Sequence, residues 1–248
     1  MSTPQNAIVL VPARMASTRL PGKPLADIAG EPMIVHVWRR AMEANVGPVV
    51  VACAEQEIID AVTSAGGQAI ATAPDHPSGS DRIFEALQIV DGNGRYDVIV
   101  NLQGDLPTLD PELVKAALTP LADPDVDIAT LVAPVADAAE ADDPNVVKAA
   151  VAFAEGNSVG RALYFSRSRV PWGDGPVWHH IGLYAYRRAA LSRFVGLPSG
   201  ILEQRERLEQ LRALENGMRI NVARVNTVPL GVDTEADLSR ARTLLGGG

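Results

Sequence analysis

Cysteine occurs once in this 248-residue chain, at Cys53. One thiol builds neither a disulfide framework nor a cysteine zinc site. No apolar run approaches the ~20 residues that a bilayer-crossing helix needs. The start, MSTPQNAIVLVPARM, has a short apolar core and no basic leader, so no secretory signal is expected and the cytoplasm is the default location. Basic charge is also short: 22 Lys and Arg face 30 Asp and Glu, a net charge of −8. A protein that tracks nucleic-acid phosphates needs the opposite balance, so neither nucleic acid nor a membrane is an expected partner. Two local shortages are more telling. Residues 1–26 lack any acid yet carry Arg14, Arg19 and Lys23, and residues 123–143 hold seven acids and no base.

What is present reads as an ordinary globular protein, one large domain or one domain with an insert. Three short apolar runs, Ala7–Ala13, Pro48–Ala52 and Tyr96–Leu102, are rich in Val and Ile. Runs of this kind read as strands buried on both faces. Between them lie helical patterns at Pro32–Asn45, Glu55–Ala65 and Ser80–Asp91. Alternating strand and helix predicts a parallel sheet covered by helices. After about Asp123 the pattern reads as an acidic, strand-poor α+β insert with short strand-like pieces at Val146–Phe153, Ala162–Phe165 and Gly182–Tyr186. The α/β pattern then returns. A Leu-rich amphipathic helix is predicted over Ile201–Glu215, a strand over Arg219–Val225 and a last helix over Thr234–Leu245, with Thr234 as N-cap.

The loop after the first strand, PARMASTRLPGKP, gathers three cations, hydroxyls and a glycine at the C-terminal end of a strand, where α/β sheets bind ligands. Arg and Lys side chains and exposed N–H groups suit a polyphosphate; a solvated basic loop is the plain alternative. The spacing matches neither GxxxxGK[ST] nor GxGxxG. After the third strand comes NLQGDLP, which puts Asp105 at a strand end, as a metal carboxylate or a simple turn residue. Asp233 is a second such acid, or merely helps start the last helix. Ser78, Gly79 and Ser80 of DHPSGSDR could face a base or ribose, or only cap a helix. In the insert, Arg167 and Arg169 could grip a carboxylate, and His180 and Tyr184, four apart in a strand, share a face. A surface Arg pair and a satisfied core histidine are the plain alternatives. The adjacent His179 and His180 make a poor metal site, because strand neighbours face opposite ways.

Seven motifs, PARMASTRLPGKPL, DHPSGSDR, NLQGDLP, LYFSRSRVPW, HHIGLYAYR, LEQRERLEQLR and GVDT, follow in this order across nearly the whole chain. In this the sequence resembles the 3-deoxy-manno-octulosonate (Kdo) cytidylyltransferases, or CMP-Kdo synthetases. The related CMP-sialate synthetases share the N-terminal pattern but not the YFSR and LEQLR segments. The resemblance implies a single α/β domain over 1–248 of the nucleotide-diphospho-sugar transferase type. Its sheet would be mixed, mostly parallel and flanked by helices, with an inserted homodimerisation arm at about 130–186. It implies that CTP and Kdo give CMP-Kdo and pyrophosphate for lipopolysaccharide synthesis, the sugar 2-hydroxyl attacking the α-phosphorus with Mg²⁺ assistance. Pro12, Arg14, Ser17, Arg19, Lys23, Thr72, Ser78 and Gly79 would bind CTP, with Lys23, Arg19 and Asp105 catalytic. Asp105 and Asp233 would hold Mg²⁺, and Gln103, Arg167, His180, Tyr184, Glu209 and Gln210 would hold the sugar. Better-known members read GDEP where this chain has Gly104-Asp105-Leu106-Pro107, and Leu106 cannot take over the role of a glutamate. Two other readings stand beside this one: activation of a different acid sugar, such as sialic acid or amino-Kdo, and a non-catalytic nucleotide binder of the same fold.

Overall fold

The computed structural model describes residues 6–17 and 19–246, so residues 1–5 of the acid-free segment and the last two glycines of the tail lie outside the described residues. The chain divides into two compact units, one of Asn6–Lys115 with Pro229–Gly248 and one centred on Ala116–Val228.

The first unit is a parallel sheet. Its chain order is β1 (Ala7–Pro12), a small hairpin of β2 (Asp27–Ile28) and β3 (Glu31–Pro32), α1 (Met33–Glu43), β4 (Val49–Cys53), α2 (Gln56–Ser64), β5 (Gln68–Ala71), α3 (Gly79–Val90), β6 (Val98–Asn101) and α4 (Pro111–Leu118). The strands lie in the order β5-β4-β1-β6, all parallel, with Val9 opposite both Val49 and Val100. Every residue of β4 and β6 is buried, as a sheet covered on both faces requires. The expected central strands and helices are therefore present. The edge strand β5 is not among the expected ones, because its residues are half-buried or exposed and its apolar run is only Ala69-Ile70-Ala71. The C-terminal helix, Glu235–Gly246, joins a satellite core in which Val232, Leu238 and Ala241 pack with Leu20, Ile28 and Met33. This packing holds the cationic loop between two elements far apart in sequence.

The second unit is a mixed sheet, so the α/β class with mixed strand directions holds. Its elements are β7 (Ile128–Pro134), α5 (Ala138–Asp142), β8 (Lys148–Phe153), β9 (Val159–Ser166), β10 (Trp178–Arg187), α6 (Arg188–Val195), α7 (Ile201–Glu206), α8 (Leu211–Glu215) and β11 (Ile220–Arg224). The order is β10-β7-β11-β9-β8; β11 runs parallel to β7, and the other pairs are antiparallel. The expectation of a strand-poor insert is corrected here. Residues 123–143 include β7, and its acids flank the strand rather than interrupt it.

The single helix expected over Ile201–Glu215 is also corrected: it is two helices. Arg207 adopts φ 55°, ψ 48° and closes α7, and α8 starts only at Leu211. Arg212 returns to grip the Glu203 carboxylate bidentately, at 2.8 and 2.6 Å. Glu215 accepts the N–H groups of Leu202 and Glu203 at the start of α7. Gly200 makes room for it, since a Cβ there would fall 1.8 Å from a Glu215 carboxylate oxygen. These contacts reward a fold-back that a straight helix forbids. Among the described residues no helix is long and apolar enough to cross a membrane.

Candidate active site

The C-terminal ends of β1 and β6 open into a cavity of about 390 Å³ within the first unit. Pro12, Arg14, Ser17, Arg19 and Lys23 line it from the first loop. Ser78 and Gly79 enter from the start of α3, Gln103 and Asp105 from the loop after β6, and Asp233 from the turn before the last helix. Nearly all the residues assigned to nucleotide and metal thus meet at one place.

The centre of this cavity is electrostatic. The Lys23 ammonium donates to Asp105 at 2.8 Å and to Asp233 at 3.0 Å, and Arg19 pairs with Asp233 at 3.0 Å. Burial works against the Lys23 charge, but the two carboxylates outweigh it and raise its pKa above the usual lysine value. Asp233 is therefore not the residue that starts the last helix. Asp237 does that, its carboxylate accepting the N–H groups of Asp233 and Thr234 and the Thr234 hydroxyl, while Thr234 Oγ1 caps in return. Among the described residues no cluster of three or more metal-ligating side chains exists. Two carboxylates on one cation nevertheless fit Mg²⁺, which prefers few protein oxygens and completes its shell with water and phosphate.

Ser78 is both cavity wall and helix cap. Its Oγ accepts from Asp81 N at 3.2 Å and donates to the Asp81 carboxylate at 2.7 Å. Thr72 stands behind the wall: its hydroxyl donates to the Cys53 carbonyl and accepts from Arg82 at 2.6 Å. Arg82 and His76 also line the cavity and were not singled out from sequence. The buried Arg82 guanidinium also donates to the Ala73 and Pro74 carbonyls, so it shapes the Thr72–Pro74 backbone. A charged residue amid a polar motif gives no hint of such burial. Leu106 is buried, consistent with an apolar side chain replacing a glutamate.

The residues assigned to the sugar other than Gln103 lie in the second unit, around the end of β9, the middle of β10 and the turn into α8. The β10 register slips between Ile181 and Ala185, a bulge opposite Thr130 of β7. Thr130 Oγ1 takes up the loosened Ile181 and Leu183 carbonyls at 3.0 and 2.8 Å and contacts His180 Nε2 at 3.1 Å. A hydroxyl has one hydrogen, and carbonyls only accept, so His180 donates from Nε2 and keeps Nδ1 as an acceptor. Burial pushes the His180 pKa down to about 3, which keeps the ring neutral. The bulge leaves the rings of His180 and Tyr184 5.5 Å apart. Tyr184 is held above its ordinary pKa, first by burial and then by Tyr186 and Glu209. Gln210 Nε2 is buried without a partner among the described residues, Arg169 is exposed, and His179 turns instead to Glu140 at 2.7 Å. Arg167 donates from its guanidinium to the carbonyls of Glu206, Pro144 and Arg207.

A family model described as Cytidylyltransferase matches residues 8–220. The 3-deoxy-manno-octulosonate cytidylyltransferase of Paramagnetospirillum magneticum is 66% identical over 238 residues, covering 96% of this chain and 97% of that protein. The chain belongs to the 3-deoxy-manno-octulosonate cytidylyltransferase family. Another member, from Methylobacterium radiotolerans, is 67% identical over 98% of both chains. A solved CMP:2-keto-3-deoxy-manno-octonic acid synthetase complexed with CTP is similar over 98% of this chain and 99% of its own, with a TM-score of 0.90 and 41% identity. As a family member the protein is a nucleotidyltransferase.

Proposed function

We propose that the protein transfers CMP from CTP to the anomeric 2-hydroxyl of Kdo, releasing pyrophosphate and supplying CMP-Kdo for lipopolysaccharide synthesis. The observation that carries this is the convergence of Lys23, Arg19, Asp105 and Asp233 in one cavity. A triphosphate brings about four negative charges, and more charge develops on the leaving pyrophosphate, so transfer depends mainly on positioning and electrostatic stabilisation. Arg14, Arg19 and Lys23 provide that stabilisation, with Lys23 serving the leaving group. Ser17, Ser78, Gly79 and Pro12 hold the nucleotide, with Thr72 supporting the wall behind them. Asp105 and Asp233 would hold Mg²⁺, which when bound polarises a phosphoryl oxygen and lowers the pKa of the attacking hydroxyl.

Kdo is an acid sugar. Arg167 answers its carboxylate, while Gln103, His180, Tyr184, Glu209 and Gln210 answer its hydroxyls. The segment at about 130–186 serves as the homodimerisation arm of a single domain. Large exposed apolar side chains within it at Leu163 and Trp172, the second of them 99% exposed, support that reading. A monomer mass by light scattering at micromolar concentration would remove it. The cytoplasm is the compartment in which we place the enzyme.

The test is pyrophosphate release from CTP, Mg²⁺ and a panel of sugars. Release with Kdo is expected. Release with sialate and not Kdo would overturn the substrate, and none with any sugar would point to a nucleotide binder.

A further inference from the structure

Arg167 is restrained at every polar group it owns. Its N–H donates to the Glu206 carboxylate at 2.9 Å, and its carbonyl accepts the Lys148 ammonium at 2.5 Å. The guanidinium Nε donates to the Glu206 carbonyl at 2.8 Å, Nη1 to the Pro144 carbonyl at 2.9 Å and Nη2 to the Arg207 carbonyl at 3.4 Å. A guanidinium has five N–H donors, so two remain, one on each terminal nitrogen.

Two of these three acceptors exist only because the helix breaks. In a continuous helix the Glu206 and Arg207 carbonyls would be taken by N–H groups four residues on. The left-handed Arg207 ends α7 and frees both for Arg167. The Glu206 side chain ties the same corner to β9, accepting the Ser166 hydroxyl at 2.8 Å and the Tyr164 hydroxyl at 3.4 Å as well as Arg167 N. Glu209 and Gln210 follow in the turn from this corner into α8. Lys148, fully buried, pins the far side through the Asp143, Val146 and Arg167 carbonyls.

We propose that Glu206 is a positioning residue for acid-sugar specificity: its carboxylate docks the α7–α8 corner onto the end of β9 and thereby aims the two remaining N–H donors of Arg167 at the substrate carboxylate. This rests on the reading of Arg167 as the carboxylate ligand. Neutral carbonyls fix the guanidinium without cancelling its charge, which stays available to an incoming acid. A carboxylate held by such a planar fork is recognised by geometry as well as charge.

The experiment compares kcat/KM for Kdo with that for its methyl ester, in the wild type and in Arg167→Ala, Glu206→Ala and Glu206→Gln, at saturating CTP. Wild type is expected to prefer the acid, and Arg167→Ala to lose that preference. Glu206→Ala is expected to lose about tenfold of it through KM for the acid, with KM for CTP unchanged, since charged hydrogen bonds are worth this much. Glu206→Gln, which keeps one acceptor oxygen, is expected to recover part of the preference. Equal loss toward acid and ester in both Glu206 variants would mean a merely structural role and overturn the proposal, as would no loss in either. If Arg167→Ala keeps the full preference, the reading of Arg167 falls, and the positioning role with it. Thermal melting of each variant separates misfolding from misalignment.

Discussion

The Lys23 ammonium lies 2.8 Å from an Asp105 carboxylate oxygen and 3.0 Å from one of Asp233. One lysine thus bonds both of the acids to which a metal ion is assigned. On the function proposed above, Lys23 would face two partners, the carboxylates and the phosphates, and both contacts would depend on the same charge.

Removing that charge separates the two roles. Lys23→Met should weaken binding of metal-free CTP by about 10- to 100-fold, the worth of a charge-assisted hydrogen bond. The same change relieves Asp105 and Asp233 of a competing cation, so Mn²⁺ should bind the nucleotide-free variant more tightly than it binds the wild type. Calorimetry follows the first effect and electron paramagnetic resonance of free Mn²⁺ the second. Unchanged Mn²⁺ affinity would show that the two acids are not a metal site.

Asp105→Asn keeps the shape of the side chain and loses its charge. Turnover should fall on the order of 100-fold or more, because metal-assisted charge stabilisation is worth several kcal/mol. CTP should still bind, since Arg14, Arg19 and Lys23 remain. Steady-state kinetics beside equilibrium binding of CTP checks both halves, and near-normal turnover would remove Asp105 from the metal.

Sequence and structure agree best where one local cause decides the outcome. β1, β4 and β6 are continuous apolar runs, and their burial on both faces follows from that alone. The convergence at the cavity was legible in part because Arg19, Lys23 and Asp105 lie in the loops that follow β1 and β6, where a parallel α/β sheet exposes its loops, whereas Asp233 comes from the turn before the last helix. The break at Arg207 was hidden. Leu202, Leu208, Leu211 and Leu214 keep a helical rhythm straight through it, while the forces that bend the chain come from Arg212, Glu215 and the distant Arg167. Arg82 was hidden for the same reason, its carbonyl partners lying eight and nine residues earlier in sequence.

The depressed pKa of His180 makes stability depend on pH. The unfolded chain takes up a proton near pH 6.5, whereas the folded ring stays neutral down to about pH 3. The unfolded state thus binds more protons in this window, and stability is full above pH 6.5 and falls as pH drops toward 3. At pH 5 the loss from this one group is about 2 kcal/mol. His180→Gln, which can still donate to Thr130, should flatten the fall in Tm between pH 7 and pH 5. A slope as steep as that of the wild type would mean that His180 is not the group responsible.

The last prediction concerns a glycine whose role is space. Gly104 sits between Gln103 and Asp105 at the cavity, and a Cβ on it would lie 2.8 Å from the Pro12 carbonyl oxygen. The clashing atom is backbone and cannot swing aside as the end of a flexible side chain would, so the 103–105 peptide must shift. That shift carries Asp105 away from Lys23 and from the position at which it would meet the substrate. Misplacement of about 1 Å in a catalytic constellation costs ~100-fold in rate, and Gly104→Ala should lose about that much turnover. Its circular dichroism should remain that of the wild type, because the strands on either side keep their buried ladders. Full activity in Gly104→Ala would show that the loop adapts and that close approach to Pro12 is not what holds Asp105 in place.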